Sequence, residues 1–297
     1  MVVTMRQPAY LGDFTSSKRL LILALAAAAI GAIAALIAVV LLKLIGLFTN
    51  LAFYQRWSTE LVSVADNRLG LWILAVPVIG GLIVGLMARY GSEKIRGHGI
   101  PEALEAILIG HSLLHPRVAV LKPLSSALSI GTGGPFGAEG PIIMTGGAFG
   151  SVISQFFSLT AAERKTLLVA GAAAGMSATF AAPVASVLFA VELLVFEWRP
   201  RSLIPTAVAS AVAATVRVPF LGTGPLFVLG PHNALPVTAV GIAVLVGLVA
   251  GLGACILTKG VYAAEDAFHK LPIHWMWWPA LGGIAVGVGG LLYPRAL

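Results

Sequence analysis

Charge is the scarcest property of this sequence. Only 10% of its 297 residues are Asp, Glu, Lys or Arg, against about 25% in a soluble domain. A soluble fold of this composition would lack the polar surface to cover its core. Cysteine is rarer still. Cys255 stands alone, which excludes an intrachain disulfide and leaves this thiol, inside an apolar run, as expected core packing. No glycine-rich loop ends in Lys-Ser/Thr, so the phosphate loop of nucleotide-binding proteins is missing. No Ser-His-Asp or cysteine nucleophile arrangement is recognisable. His111 and His115 have the i, i+4 spacing of helical metal ligands, but Pro116 and the want of a third ligand argue against a metal site.

Apolar residues are abundant: 58% of the chain is hydrophobic, and the mean hydropathy is +0.96. Leu20 to Leu42 holds no charge and no proline, between Lys18, Arg19 and Lys43. About 20 apolar residues span the hydrocarbon core of a bilayer. A signal peptide would have a shorter apolar region and a small-residue cleavage site. The expected organisation is a leader over residues 1–19 and one multi-pass membrane domain over 20–297. The net charge of +7 does not point to nucleic acid, because the basic residues sit in leaders and loops. Arg6, Lys18 and Arg19 precede the first span, and Arg89, Lys94 and Arg96 follow the second. By the positive-inside rule the N-terminus is cytoplasmic and the loop 55–70 external. The expected location is the cell membrane.

Further apolar segments run over 71–90, 118–131, 140–158, 166–180, 183–198, 202–217, 236–262 and 275–293. Several are too short to cross a bilayer alone. Pro101, Pro123, Pro135, Pro141 and Pro183 fall at or near the breaks, where a helix cannot continue without losing a hydrogen bond. Broken helices persist in lipid where their free backbone groups line a polar cavity, and interrupted helices meeting near the midplane are how many transporters bind ions. The expected fold class is therefore all-α: a polytopic membrane protein with broken, tilted helices. No internal repeat is evident.

Three stretches could carry chemistry. Between residues 129 and 151, SIGTGGPFGAEGPIIMTGGAFGS, seven glycines lie from Gly131 to Gly147, and a helix is expected to start near Glu139–Pro141. A helix N-terminus favours an anion. Glu139 is the only charge between Lys122 and Glu163, and an ionisable residue inside a membrane marks function. The plainer reading is an N-terminal cap; the two are compatible. A carboxylate at an anion site can occupy and block it, and protonation would release it. The second stretch, Gly97-His98-Gly99-Ile100-Pro101-Glu102, repeats the logic ahead of a short helix over 101–109. His98 could donate a hydrogen bond or carry charge near neutral pH; Glu102 and Glu105 read as solvent-facing first-turn residues. The third, 170–193, is rich in small residues that suit close helix packing. Its exception is Glu192, the only charge between Lys165 and Glu197, which should face a polar path or a partner.

These motifs resemble those of the CLC family of chloride channels and chloride/proton exchangers. Gly97–Glu102 resembles its G-S-G-I-P-E, Gly137-Ala138-Glu139-Gly140-Pro141 its G-K/R-E-G-P, and Ala170–Glu192 the segment closing with A-P-x-A-x-x-L-F-x-x-E. Lys122 matches a lysine common in the helix before the glutamate motif. The resemblance implies the N-terminal repeat and the start of the second repeat of the CLC fold. It implies a gating role for Glu139, anion contacts from Gly97, His98, Gly99, Ile100, Gly137, Ala138 and Gly140, and a proton or water path near Glu192. It also implies a homodimer in the lipid bilayer with helices of 183–217 at the dimer face, a transported anion, chloride, possible exchange for protons, and no cofactor. His98 stands for the usual serine, Ala138 for the basic residue beside the gate, and Leu193 for the second of two glutamates found in many exchangers; Leu104 replaces a further acid. The family's inverted second half, with a G-x-F-x-P motif and an anion-contacting tyrosine, does not follow Leu297, so a piece of a longer protein is expected.

The expected function is glutamate-gated chloride transport, as a channel or a chloride/proton antiporter, and not an enzymatic one. Two alternatives stay open: an intramembrane enzyme using Glu139 or His98 as acid or base, and a truncated product without transport.

Overall fold

The computed structural model describes residues 18–97, 99–223 and 238–297. Every regular element among them is helical. Helix α1 (Lys18–Tyr54) is followed by α2 (Ala75–Tyr90), the short α3 (Ile100–Leu108), α4 (Pro116–Gly131), α5 (Glu139–Ser154) and α6 (Ala161–Phe180). Then come α7 (Pro183–Phe189), which continues as a π-helical turn over Ala190–Val195, α8 (Pro200–Val216), the single turn α9 (Val218–Leu221), α10 (Thr238–His269) and α11 (Trp278–Leu292). Prolines open α3, α4, α7, α8 and α11 at their first or second positions, where the missing N–H costs no helical bond. Four helical stretches among the described residues are long and apolar enough to cross a membrane. With its 37 residues, α1 is about 55 Å long, well beyond a hydrocarbon core of about 30 Å.

The core is built from small residues. Ala27, Ala34 and Ala38 of α1 pack against Ala170 and Ala174 of α6 and Ala209 and Ala213 of α8. A Cβ on Gly31 would strike the Ala209 carbonyl, and Gly146 of α5 and Gly171 of α6 each present a carbonyl where the other would carry its Cβ. In lipid, where burial of apolar surface between helices brings no hydrophobic gain, close backbone approach is what holds helices together.

A second contact of this kind joins α2 to α11. Gly81 and Gly85 face Pro279 and Met276, while Gly283 and Gly287 face Pro77 and Leu74. The pairing order makes the two helices antiparallel. A long helix followed by a short one thus occurs twice, as α1–α2 and as α10–α11, and the two short ones meet.

Two expectations need correction. Cys255 is exposed rather than packed in a core, because α10 buries none of its residues against the rest of the chain. Glu102 is half-buried rather than solvent-facing, for the reason given below. His111 and His115 do not share a helix: His111 has φ +52 in the turn after α3, and His115 caps α4 by accepting the Arg117 N–H. The leader falls outside the described residues over 1–17.

Candidate functional site

The glycine motifs do in space what they do in sequence: each opens a helix. Gly99 is the N-cap of α3, with φ +113. That conformation is open to glycine and strained for other residues. Space imposes the same choice, since a Cβ at Gly99 would collide with the carbonyl oxygen of Gly140 in the first turn of α5. The start of α3 is therefore pressed against the start of α5.

The far ends are tied as well. Ser151 of α5, fully buried, donates to the Ser112 carbonyl at 2.7 Å and accepts the Leu114 N–H at 2.9 Å. Gln155 Nε2 donates to the Leu114 carbonyl at 3.1 Å. All three bonds hold the turn that follows α3. With starts together and ends together, α3 and α5 run parallel. Their positive dipole ends converge, an arrangement that repels itself and is relieved by negative charge.

Two carboxylates stand at that convergence. Glu102 turns back on its own helix, and its Oε2 accepts the Gly99 N–H at 2.7 Å. This one bond back to the N-cap removes a free donor and explains why Glu102 is not directed into solvent. Glu139 is the first residue of α5. It is exposed, and no hydrogen bond or ion pair to it occurs among the described residues. Ala138, its N-cap, offers no side-chain bond to the helix start. Pro141, the third residue, has no N–H to offer. Gly137 is exposed and Gly140 buried. The expected anion contacts at Gly97, Gly99, Ile100, Gly137, Ala138 and Gly140 thus lie on two converging segments. His98 falls outside the described residues.

Glu192 lies in the π-helical turn Ala190–Val195, exposed on the side of the chain. Such turns recur at functional positions in other helices. Lys165 of α6 donates to the Val195 carbonyl at 2.8 Å and so closes the turn's C-terminal end, before Phe196 leaves it with φ +59. Sequence reading missed the parts played by Ser151 and Lys165. A serine in a glycine-rich helix and a lysine in a charged first turn carry no distinguishing signal on their own.

The family model described as voltage gated chloride channel matches residues 80–297. That interval contains both glycine motifs, Glu139 and Glu192. The chain belongs to the CLC family. An H(+)/Cl(-) exchange transporter ClcA from Salmonella paratyphi B is 30% identical over 246 residues, which are 80% of this chain and 52% of that protein. A ClcB-like chloride channel protein from Ralstonia nicotianae is 28% identical over 226 residues, 75% of this chain and 53% of the relative. The chain spans about half the length of these curated relatives. Among solved structures, a CLC-type fluoride/proton antiporter superposes with a TM-score of 0.76 at 18% identity, covering 95% of this chain and 68% of that one. A slow cyanobacterial Cl-/H+ antiporter gives 0.72 at 21% identity, with 93% and 64% covered. The fold is that of part of a CLC transporter, and the protein is integral to the membrane.

Proposed function

We propose that this chain builds one wall of a transmembrane chloride path gated by Glu139. The observation that carries the reading is the contact of Gly99 with the Gly140 carbonyl, which brings the positive ends of two parallel helices together. An anion at that point would meet the unpaired N–H groups of the α5 start. The Glu139 carboxylate, exposed at the same helix end, is the natural competitor for it. Protonation removes the competitor's charge, so anion passage should rise as the external solution is acidified.

The relatives support both a channel and an exchanger. One ClcA protein is named as an H(+)/Cl(-) exchange transporter, and one solved structure as a Cl-/H+ antiporter. Glu192 is the acid that would serve an inner proton route, and Leu193 beside it is not ionisable. The N-terminus is read as cytoplasmic. The exposed apolar residues Val184 and Leu188 of α7, with Ile204 of α8, support a homodimer joined along that face.

The test is chloride efflux from liposomes with internal pH followed at the same time, on this chain and on the longest product of its reading frame. Glu139→Gln should raise chloride flux at neutral pH and remove its dependence on external pH. Proton movement coupled to chloride in the parent marks an exchanger, and its absence a channel. Unchanged flux and unchanged pH dependence in Glu139→Gln would refute the gate.

A further inference from the structure

Lys122 of α4 is 1% exposed. A buried ammonium in a membrane protein is costly unless something is gained by it. Its stem crosses from α4 to the turn that precedes α3. There Nζ donates to the Ile95 carbonyl at 2.9 Å and to the Gly97 carbonyl at 2.7 Å. No carboxylate lies within ion-pair distance of it among the described residues. The cation is spent on backbone.

The other side of the same turn is held by a charge of opposite sign. Glu102 accepts the Gly99 N–H, and its Oε1 fills the space into which a Cβ on Gly97 would project. Gly97 has φ +77 and Gly99 φ +113, so this is a segment of unusual backbone that needs outside support to persist. A third tie is Arg96, whose guanidinium lies 4.3 Å over the Trp275 ring at the foot of α11. The carbonyls matter electrostatically. A carbonyl turned towards a bound anion repels it, and those of Ile95 and Gly97 are committed to the ammonium instead.

We propose that Lys122 is a positioning residue for the anion site: by two hydrogen bonds it straps the 95–97 turn to α4 and so keeps Gly99 against the start of α5. The inference rests on the reading of that convergence as an anion site. The strap itself can be tested without it.

Three variants separate strap from charge. Lys122→Met keeps the bulk and leaves both carbonyls without their donor. Lys122→Arg keeps donors and charge. In Lys122→Met/Glu102→Gln the lost positive and negative charges cancel, and the glutamine can still accept the Gly99 N–H. Two readouts are needed: the chloride concentration giving half-maximal flux, and amide exchange of the peptide covering 93–103 in detergent. Lys122→Met should raise the half-maximal concentration about tenfold while the maximal rate stays within about threefold, as expected for loss of buried hydrogen bonds that place a binding segment. Exchange over 93–103 should quicken, and Lys122→Arg should restore both. The double variant should remain as defective as Lys122→Met. If it instead returns to the parent value, Lys122 acts through its charge and the strap is refuted; unchanged amide exchange in Lys122→Met refutes it equally. If the parent passes no chloride but exchange quickens in Lys122→Met, the strap stands and the transport reading falls. Should Lys122→Met fail to fold, a folded Lys122→Arg with slow exchange and a parent-like half-maximal concentration supports the strap, and one with quickened exchange overturns it.

Discussion

Gly99 packs directly on the carbonyl of Gly140, a residue 41 positions later at the start of another helix. Everything that makes the site depends on this approach. It brings together two helix ends that electrostatics would drive apart, and it leaves no room for a side chain. Gly99→Ala would have to displace the α5 backbone and hold alanine at φ +113. The expected outcome is loss of chloride flux together with loss of folded protein after detergent extraction, a penalty of about 3 kcal/mol or more. Gly137→Ala is the control. A Cβ there meets nothing closer than 3.9 Å, at the Glu139 nitrogen, and should leave the yield of folded protein unchanged. Size-exclusion profiles of the two variants side by side decide the matter; equal profiles would remove the contact from consideration.

The parallel course of α3 and α5 is secured at its far end by the Ser151 hydroxyl together with the Gln155 amide. Ser151 bonds to both the Ser112 carbonyl and the Leu114 N–H. Ser151→Ala leaves these two groups in a buried position without that partner, which costs about 1–3 kcal/mol for each unsatisfied group. Thermal unfolding in detergent should show a lower midpoint, and Ser151→Thr, which restores a hydroxyl, should recover part of it if the extra methyl is accommodated. An unshifted midpoint in Ser151→Ala would mean that the turn 112–114 is held by other contacts.

Much of this architecture was legible in the residues, and the failures have physical reasons. The start of α5 at Glu139 followed from Pro141, and the start of α3 from Pro101, because proline suits a first helical turn. Membrane insertion followed from the charge-free run 20–42. The inward turn of Glu102 was not foreseen. A glycine N-cap lacks the Ser or Thr that completes the usual capping-box pattern, so the glutamate alone reads as a surface residue. Cys255 was misplaced because an apolar run does not say whether protein or lipid covers it. The recurrence of a long helix before a short one, α1–α2 and α10–α11, left no trace of sequence similarity. Backbone length and glycine-lined contact faces carry it, and many sequences satisfy both. The strap from Lys122 needed coordinates, since its acceptors are carbonyls and any residue type supplies those.

Acid should loosen the start of α6. Glu163 lies in the charged first turn, outside the four apolar spans. It accepts the N–H and hydroxyl of Thr160 and pairs with Arg19. Burial raises its carboxyl pKa, but the bonds from Arg19 and Thr160 together outweigh this, and the net direction is below the ordinary carboxylate value. A carboxyl with a lowered folded-state pKa contributes stability above its unfolded value and loses it as pH falls through the folded one. Stability of the parent should therefore decline in the acid range below the ordinary carboxylate pKa. Glu163→Gln should flatten that part of the pH–stability curve, because the group that titrates is gone. A curve of unchanged slope would assign the acid sensitivity to other carboxylates.

Thr145 offers a change expected to go the other way. Its hydroxyl is fully buried in α5 and has no hydrogen-bond partner among the described residues. A buried polar group in this state costs free energy, and an apolar replacement of the same shape can be neutral or stabilising. Thr145→Val should raise stability by up to about 1–2 kcal/mol, read as an upward shift of the unfolding midpoint in detergent. The same variant also probes function. Thr145 lies six residues into the helix that Glu139 opens. If its hydroxyl serves the anion or proton route, Thr145→Val will be more stable and transport more slowly. If the hydroxyl is only an unpaired group in the packing, stability will rise and flux will stay at the parent value. A lower midpoint would show that the hydroxyl is bonded in the membrane-embedded protein and that this account of α5 is wrong.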